Sequence, residues 1–391
     1  MMNCVFLSPH FPPQYHLFCR HLKEAGATAL GIGDASYETL SPEIRSSLTE
    51  YYRVNRMDDY DELLRACGYF THAYGKIDRI DSLNEHWLST EAQLRDDFNV
   101  YGVRQHDIGM IRRKSEMKKR FRAAGVPVAA GRVVHSLGDA VALLKEIGFP
   151  VVVKPDVGVG ALDTARLDSV EDLERFFLGK DPSAYIIESF VNGTICSFDG
   201  LCNREGAPIF WTAHVFSQGI METVNESRHL SYHSLREIPP ALEDAGRRCL
   251  KSFNVQEQFF HLEFFQTSAE QYTALEVNMR PPGGFTTDMF NYACDIDIYR
   301  IWAELLVRNK DCLEFERRYH CCYASRKHGL PYSHTHQDII GRYGDWLCQV
   351  VQVPGVFAGA LGDIGYIFRS RDLQRIEEIS GFIHQTSIHE A

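Results

Sequence analysis

The stretch Leu275–Gly284, LEVNMRPPGG, sets Glu276, Asn278 and Arg280 at alternate positions, with the apolar Leu275, Val277 and Met279 between them. Period-two alternation marks a strand that buries one face, and two prolines followed by two glycines end it. The other face then carries an acid, an amide and a base in a row, which calls for either a ligand or solvent.

Upstream, the run EQFFHLEFF has the same period. Phe259, His261, Glu263 and Phe265 fall on one face, and Phe260, Leu262 and Phe264 on the other. The seven residues QTSAEQY turn the chain back, and a hairpin symmetric about residues 269 and 270 sets Glu263 opposite Glu276. Two facing carboxylates repel unless a cation or a proton lies between them. Asn278 adds a neutral oxygen, and three hard oxygen donors without a cysteine favour Mg²⁺ or Mn²⁺ over zinc. Magnesium keeps coordination positions for water or substrate phosphates, so the set suggests a nucleotide. Arg280 is a planar cation suited to phosphate or carboxylate oxygens. The competing reading of this spacing is a solvated polar face on an edge strand. His261 reads as a hydrogen-bonded structural histidine rather than a metal ligand.

A chain of 391 residues with 45% hydrophobic side chains fits two or three domains. Its formal charge of -11, without a long run of one sign, argues against a nucleic-acid or anionic-membrane surface. The eleven cysteines show no paired CxxC spacing, so Cys321 and Cys322 read as reduced thiols and the setting as cytoplasmic. No signal-peptide core is expected at the N-terminus, and no run of about 18 apolar residues occurs.

The opening NCVFLSP, QYHLFCRHLKEAG and ATALGIGD read as β-α-β. Gly31 and Gly33 follow the second strand and lack a third glycine, so they mark a tight turn rather than a dinucleotide fingerprint. Alternating elements continue to about Gln105, which delimits a first α/β domain of residues 1–105. A helix carrying RRKSEMKKRFRAAG, the strand FPVVVKP and a dense series of strands follow, as in an antiparallel sheet. These define a second domain of residues 106–313, with a hinge at 186–193 between its two halves. Residues 314–391 form a small α/β subdomain.

A nucleotide needs basic residues. Lys154 ends the apolar strand VVVKP, where burial is costly unless an anion meets it. Lys114 stands among Arg112, Arg113, Lys118 and Lys119, most of which should be solvated helix surface. In order and spacing, RRKSEMKKRFRAAGVPV, GFPVVVKPDVGVGA, YIIESFVNG, HLEFF and LEVNMRPPGG resemble the ATP-grasp superfamily. The resemblance covers about residues 105–310. It implies an α/β (α+β) protein with the ATP-grasp fold, a Rossmann-like domain before it and a small α/β subdomain after it.

The resemblance also implies roles. Lys114 and Lys154 would lie on the ATP phosphates. Glu188 and the backbone near Phe190 would meet the adenine. The loop DVGVGALDT, with Gly158 and Gly160, would cover the phosphates. Glu263, Glu276 and Asn278 would hold Mg²⁺ (or Mn²⁺), and Arg280 would stabilise the transferring phosphoryl group or the activated carboxylate. One position departs from the pattern: Ile195 stands where many members carry an acid for the ribose.

KPDVGVGA, SFDGL and NMRPPGGFTTDMF look most like the carboxylate-amine ligases, which include L-amino-acid ligases. The expected reaction joins a small carboxylate to an amine through an acyl phosphate and releases ADP and phosphate. The alternatives are a biotin-carboxylase-like or purine-pathway ligase, and a nucleotide-binding scaffold without turnover. A homodimer is the family-level expectation. For the acceptor, residues 218–233, with Glu222, Glu226, Arg228, His229 and His233, read equally as a cleft segment or a solvated loop. Glu85 reads as a helix-surface acid before a cleft residue.

Overall fold

The computed structural model describes residues 1–158, 163–217, 219 and 228–387. Gly160, Glu222 and Glu226 lie outside the described residues, as do residues 159–162 of the DVGVGALDT segment and all of 218–227 except Gly219.

The first sheet takes β1 (Asn3–Leu7), β2 (Thr28–Gly33), β3 (Glu50–Arg53) and β4 (Arg79–Asp81) in the order β3-β2-β1-β4. All its pairs are parallel. Every residue of β1 and β2 is buried, as a parallel sheet covered on both faces requires. The chain passes from one side of β1 to the other between β3 and β4. The loops after β1 and β4 therefore open on the crevice where such sheets place ligands.

The second sheet takes β5 (Gly131–Val133), β6 (Val151–Pro155), β7 (Ala165–Leu167) and β8 (Tyr185–Ser189), antiparallel in the order β5-β8-β6-β7. Helix Leu137–Ile147 covers it, with Leu143 and Leu144 packed on Val151, Val153 and Ile187.

The third sheet has eight strands. They are β9 (Thr194–Cys202), β10 (Pro208–Phe216), β11 (Ser231–Ser234), β12 (Phe259–Ser268), β13 (Gln271–Asn278), β14 (His320–Arg326), β15 (Leu347–Gln352) and β16 (Ile364–Ser370). Their order is β13-β12-β9-β10-β11-β14-β16-β15. β14 pairs with β11, so the segment after residue 313 continues this sheet rather than forming one of its own. Helices Pro240–Ser252 and Lys114–Ala123 bury Leu242, Cys249, Met117 and Phe121 against one part of it. Phe18 of the first domain packs edge-on to Phe259, Tyr299 and Trp302, which joins the first domain to the large sheet.

The β12–β13 hairpin pairs Glu263 with Glu276, the register its symmetry predicts. The turn is tighter than the seven residues expected: β12 runs on to Ser268 and β13 begins at Gln271, leaving Ala269 and Glu270. Two irregularities, between Glu263 and Phe264 and between Gln266 and Ser268, offset each other, which is why the symmetric count holds.

All eleven cysteines are unpaired and only Cys312 is exposed. Among the described residues no helix is long and apolar enough to cross a membrane.

Candidate active site

The basic run that reads as one helix is two: Gln105–Arg112 and Lys114–Ala123, broken at Arg113, whose backbone is extended. No side chain of Arg113 caps the second helix. Asp156, just past β6, does so instead. Its carboxylate accepts from the Ser115 N–H at 2.8 Å and the Ser115 hydroxyl at 3.0 Å, and its carbonyl accepts from the Lys114 N–H at 2.9 Å. This fixes the first turn, and so Lys114, against the strand that carries Lys154.

On β6 and β8, Val152 lies opposite Glu188, so Lys154, two residues along, is the diagonal neighbour of Glu188 on the same face. The Lys154 ammonium meets one Glu188 oxygen at 2.8 Å, and the Lys118 ammonium meets the other at 2.7 Å. Lys118 corrects the expectation of a solvated helix face: it is buried at 6% exposure. The signal was its spacing, four residues after Lys114 and hence on the same side of the helix.

All three groups are buried, and their acidities respond. Burial pushes the Glu188 carboxyl up, but Lys154 and Lys118 outweigh it and hold it at about 2. Burial pulls Lys154 down, yet Glu188, then Glu276 and Glu263, leave it above the ordinary lysine value. Burial also pulls Lys118 down, and there Glu188 does not compensate, because Lys154 and Arg122 add like charge.

Lys114 reaches across the cleft. Its ammonium lies 3.5 Å from Glu276 and donates to the Gly158 carbonyl at 3.2 Å. Glu263, facing Glu276 across the ladder, has its carboxyl raised, first by burial and then by Glu276, against the downward pull of His261.

Lys114, Lys154, Glu188, Phe190, Glu263 and Glu276 line one cavity of about 450 Å³, within the range of small-molecule sites. The hinge Ser189–Gly193 forms another wall. Its path is fixed by the Ser189 N–H donating to Ala130 O at 2.8 Å and the Phe190 N–H donating to Pro150 O at 3.0 Å. A Cβ on Gly193 would lie 2.7 Å from the Gln266 carbonyl oxygen, so only glycine lets the hinge approach β12 this closely. Ile195 lines the same cavity, as do Phe216, Ser217 and Gly219 from the edge of the 218–233 stretch. Of that stretch, His229 stacks on His384 at 3.8 Å between ring centroids, and His233 stands edge-on to His320. Neither lines the cavity.

Asn278 and Arg280 are not in its wall. Asn278 is buried and lies opposite His261 in the ladder. Arg280 donates to Glu85 at 2.6 Å and to the Pro281 carbonyl at 2.8 Å. Glu85, which reads from sequence as a helix-surface acid, is instead the partner of this arginine. Asp199 was also missed. It lies at 0% exposure on β9, directly opposite His261. His261 is the hydrogen-bonded histidine expected, donating from Nδ1 to Asp199 at 2.5 Å.

The oxygen donors suit a hard cation. Among the described residues no three His, Cys, Asp or Glu side chains gather as a metal group. Two carboxylates with an amide beside them match the sparse protein ligation of magnesium, whose remaining positions go to water and phosphate.

A family model described as an ATP-grasp domain matches residues 147–288. An L-arginine-specific L-amino acid ligase of Bacillus subtilis is 23% identical over 244 residues, 58% of this chain and 59% of that protein. A carbamoyl phosphate synthase large chain of Neisseria meningitidis serogroup B is 21% identical over 297 residues, 73% of this chain and 26% of that protein. The chain thus spans less than two thirds of the length of these curated relatives. Among solved structures, an L-amino acid ligase from Bacillus licheniformis superposes with a TM-score of 0.75 at 13% identity, covering 97% of this chain and 96% of that one. N5-carboxyaminoimidazole synthetase from Staphylococcus aureus complexed with ADP gives 0.71 at 14% identity, covering 97% and 96%. The chain therefore carries an ATP-grasp domain at residues 147–288 and has the ATP-grasp fold over nearly its whole length.

Proposed function

We propose that this protein is an ATP-dependent carboxylate-amine ligase that forms an amide or peptide-like bond and releases ADP and phosphate. The observation that carries the reading is the single cavity with two lysines and Glu188 on one wall and the Glu263–Glu276 pair on the other. That charge distribution suits a nucleotide triphosphate lying between the second and third sheets.

In this reading Lys114 and Lys154 bind phosphate oxygens, and the hinge from Glu188 to Phe190 borders the base. Gly158 and Gly160 belong to the loop over the phosphates. Glu263, Glu276 and Asn278 would hold Mg²⁺ (or Mn²⁺), which supplies charge neutralisation on the phosphates when bound. The substrate carboxylate attacks the γ-phosphorus to give an acyl phosphate, and an amine then displaces phosphate from the acyl carbon. Little covalent help is needed: the lysines and Arg280 align the reactants and offset negative charge. Water must be excluded to preserve the acyl phosphate. Arg280, linked to Glu85 of the first domain, would meet the carboxylate or the transferring phosphoryl group.

The test is ADP release from ATP with pools of amino acids and small carboxylates, followed by mass spectrometry of the product. A condensed amide with ADP and phosphate is expected. AMP and pyrophosphate as products would remove the acyl-phosphate step. ATP binding without substrate-dependent ADP from any pool would favour a binding protein.

A further inference from the structure

Three neighbouring strands of the large sheet, β10, β9 and β12, converge on one fully buried carboxylate. Asp199 Oδ1 accepts from His261 Nδ1 at 2.5 Å, and Oδ2 accepts from His214 Nδ1 at 2.7 Å and from the Ser197 hydroxyl at 2.6 Å. An ionised carboxylate only accepts, so all three partners donate and both histidines carry their proton on Nδ1. Among the described residues the Nε2 of His214 meets no partner, and with the proton on Nδ1 it is a bare lone pair. The Nε2 edge of His261 instead faces Glu263 Oε1 at 3.7 Å, beyond hydrogen-bond distance, so it bears on that carboxylate by contact and charge. The ladder reinforces this order: Asp199 is opposite His261, and Ser197 is opposite Glu263.

A buried carboxylate with two imidazoles is an expensive way to fill a sheet face, since apolar residues of similar volume would pack there without desolvating a charge. One product of the arrangement is an imidazole held at one angle beside Glu263. Side chains that orient a ligating group in this way tune a metal site from one layer out.

We propose that Asp199, acting through His261, is a positioning residue for Glu263, holding that carboxylate in the orientation that metal binding requires. The proposal rests on the reading of Glu263 as a metal ligand. Neither Asp199 nor His261 lines the cavity.

The test is Mn²⁺ titration of the full chain with ADP present, followed by electron paramagnetic resonance. Metal-free ADP affinity and the thermal midpoint are measured alongside. Asp199→Asn and His261→Asn are each expected to weaken Mn²⁺ binding by about 10–100-fold and to change the bound-Mn²⁺ spectrum, while metal-free ADP affinity holds. The side-chain nitrogen of His261→Asn can still donate to Asp199, so this variant keeps the buried hydrogen bond and removes only the edge facing Glu263. Wild-type Mn²⁺ affinity in a folded His261→Asn overturns the proposal, even where Asp199→Asn does not fold. Loss of metal-free ADP affinity in parallel with Mn²⁺ affinity also overturns it, because that is the signature of general disruption. Mn²⁺ binding that Glu263→Gln leaves unchanged overturns the underlying metal reading instead.

Discussion

Arg280 and Glu85, 195 residues apart in sequence, meet at 2.6 Å, each with under a fifth of its side chain exposed. The pair ties the last polar position of LEVNMR to the loop after β4, and so ties the first domain to the large sheet. Burial lowers the Arg280 pKa, yet Glu85 outweighs burial and keeps the guanidinium charged. Removing either partner leaves a partly buried charge alone. A double-mutant cycle of Arg280→Ala and Glu85→Ala should therefore give a coupling of ~0.5–3 kcal/mol in unfolding free energy. Additive losses would mean that the pair does not join the two domains energetically.

Glu276→Gln keeps the shape of the side chain and removes its charge. Turnover should fall by about 10²-fold or more, with the thermal midpoint near the wild-type value. Activity near wild type would sink the metal role of this carboxylate.

Glu188 supplies a pH signature. Its folded pKa, about 2, lies below its ordinary 4.5, so its contribution is complete above the ordinary value and is lost as pH falls through the folded one. Glu188→Gln should cost ~3–5 kcal/mol at neutral pH, because Lys118 and Lys154 stay buried without a counter-charge. The gap from wild type should then shrink between pH 4.5 and 2. A gap that is constant with pH would show that the loss is one of shape rather than charge.

Magnesium should stabilise only through the nucleotide. Adding Mg²⁺ to the ADP-saturated protein should raise the thermal midpoint, and a chelator should reverse the gain, since a ligand bound only to the folded state stabilises it by mass action. Mg²⁺ without nucleotide should do little, because two carboxylates and an amide leave about half of its octahedral coordination to phosphate and water. An equal gain from Mg²⁺ alone would point to a complete protein cage.

Ile195 predicts weak sugar selectivity. A carboxylate on a ribose hydroxyl contributes ~1.5–3 kcal/mol, and Ile195, lining the cavity, can contribute none of it. 2′-Deoxy-ATP should therefore replace ATP with less than about tenfold loss of apparent affinity. A larger discrimination would show that another residue reads the sugar.

The sequence was most legible where periodicity and spacing act within one element. The faces of β12 and β13, their register at Glu263 and Glu276, and helix Leu137–Ile147 all follow from local pattern. Partners that depend on tertiary approach were hidden. Lys118 looks like any helix lysine until Glu188 arrives from β8, and Glu85 looks like a surface acid until Arg280 reaches it. Asp156 reads as loop, although it caps a helix 41 residues upstream. Asp199 could have been suspected, because an acid in the apolar run TICSFDGLC must be paid for by partners, but nothing in that run names two histidines.

The pairing of β14 with β11 has a consequence for synthesis. A ribosome releases β9 to β13 well before β14, so the nascent sheet must wait with β11 as an open edge, its four residues bonded on one side only. Such an edge invites pairing with a neighbouring chain. A chain cut at residue 313 should therefore aggregate rather than yield a smaller nucleotide-binding protein, because the last fifth of the polypeptide covers the β11 edge that the strands before it leave open.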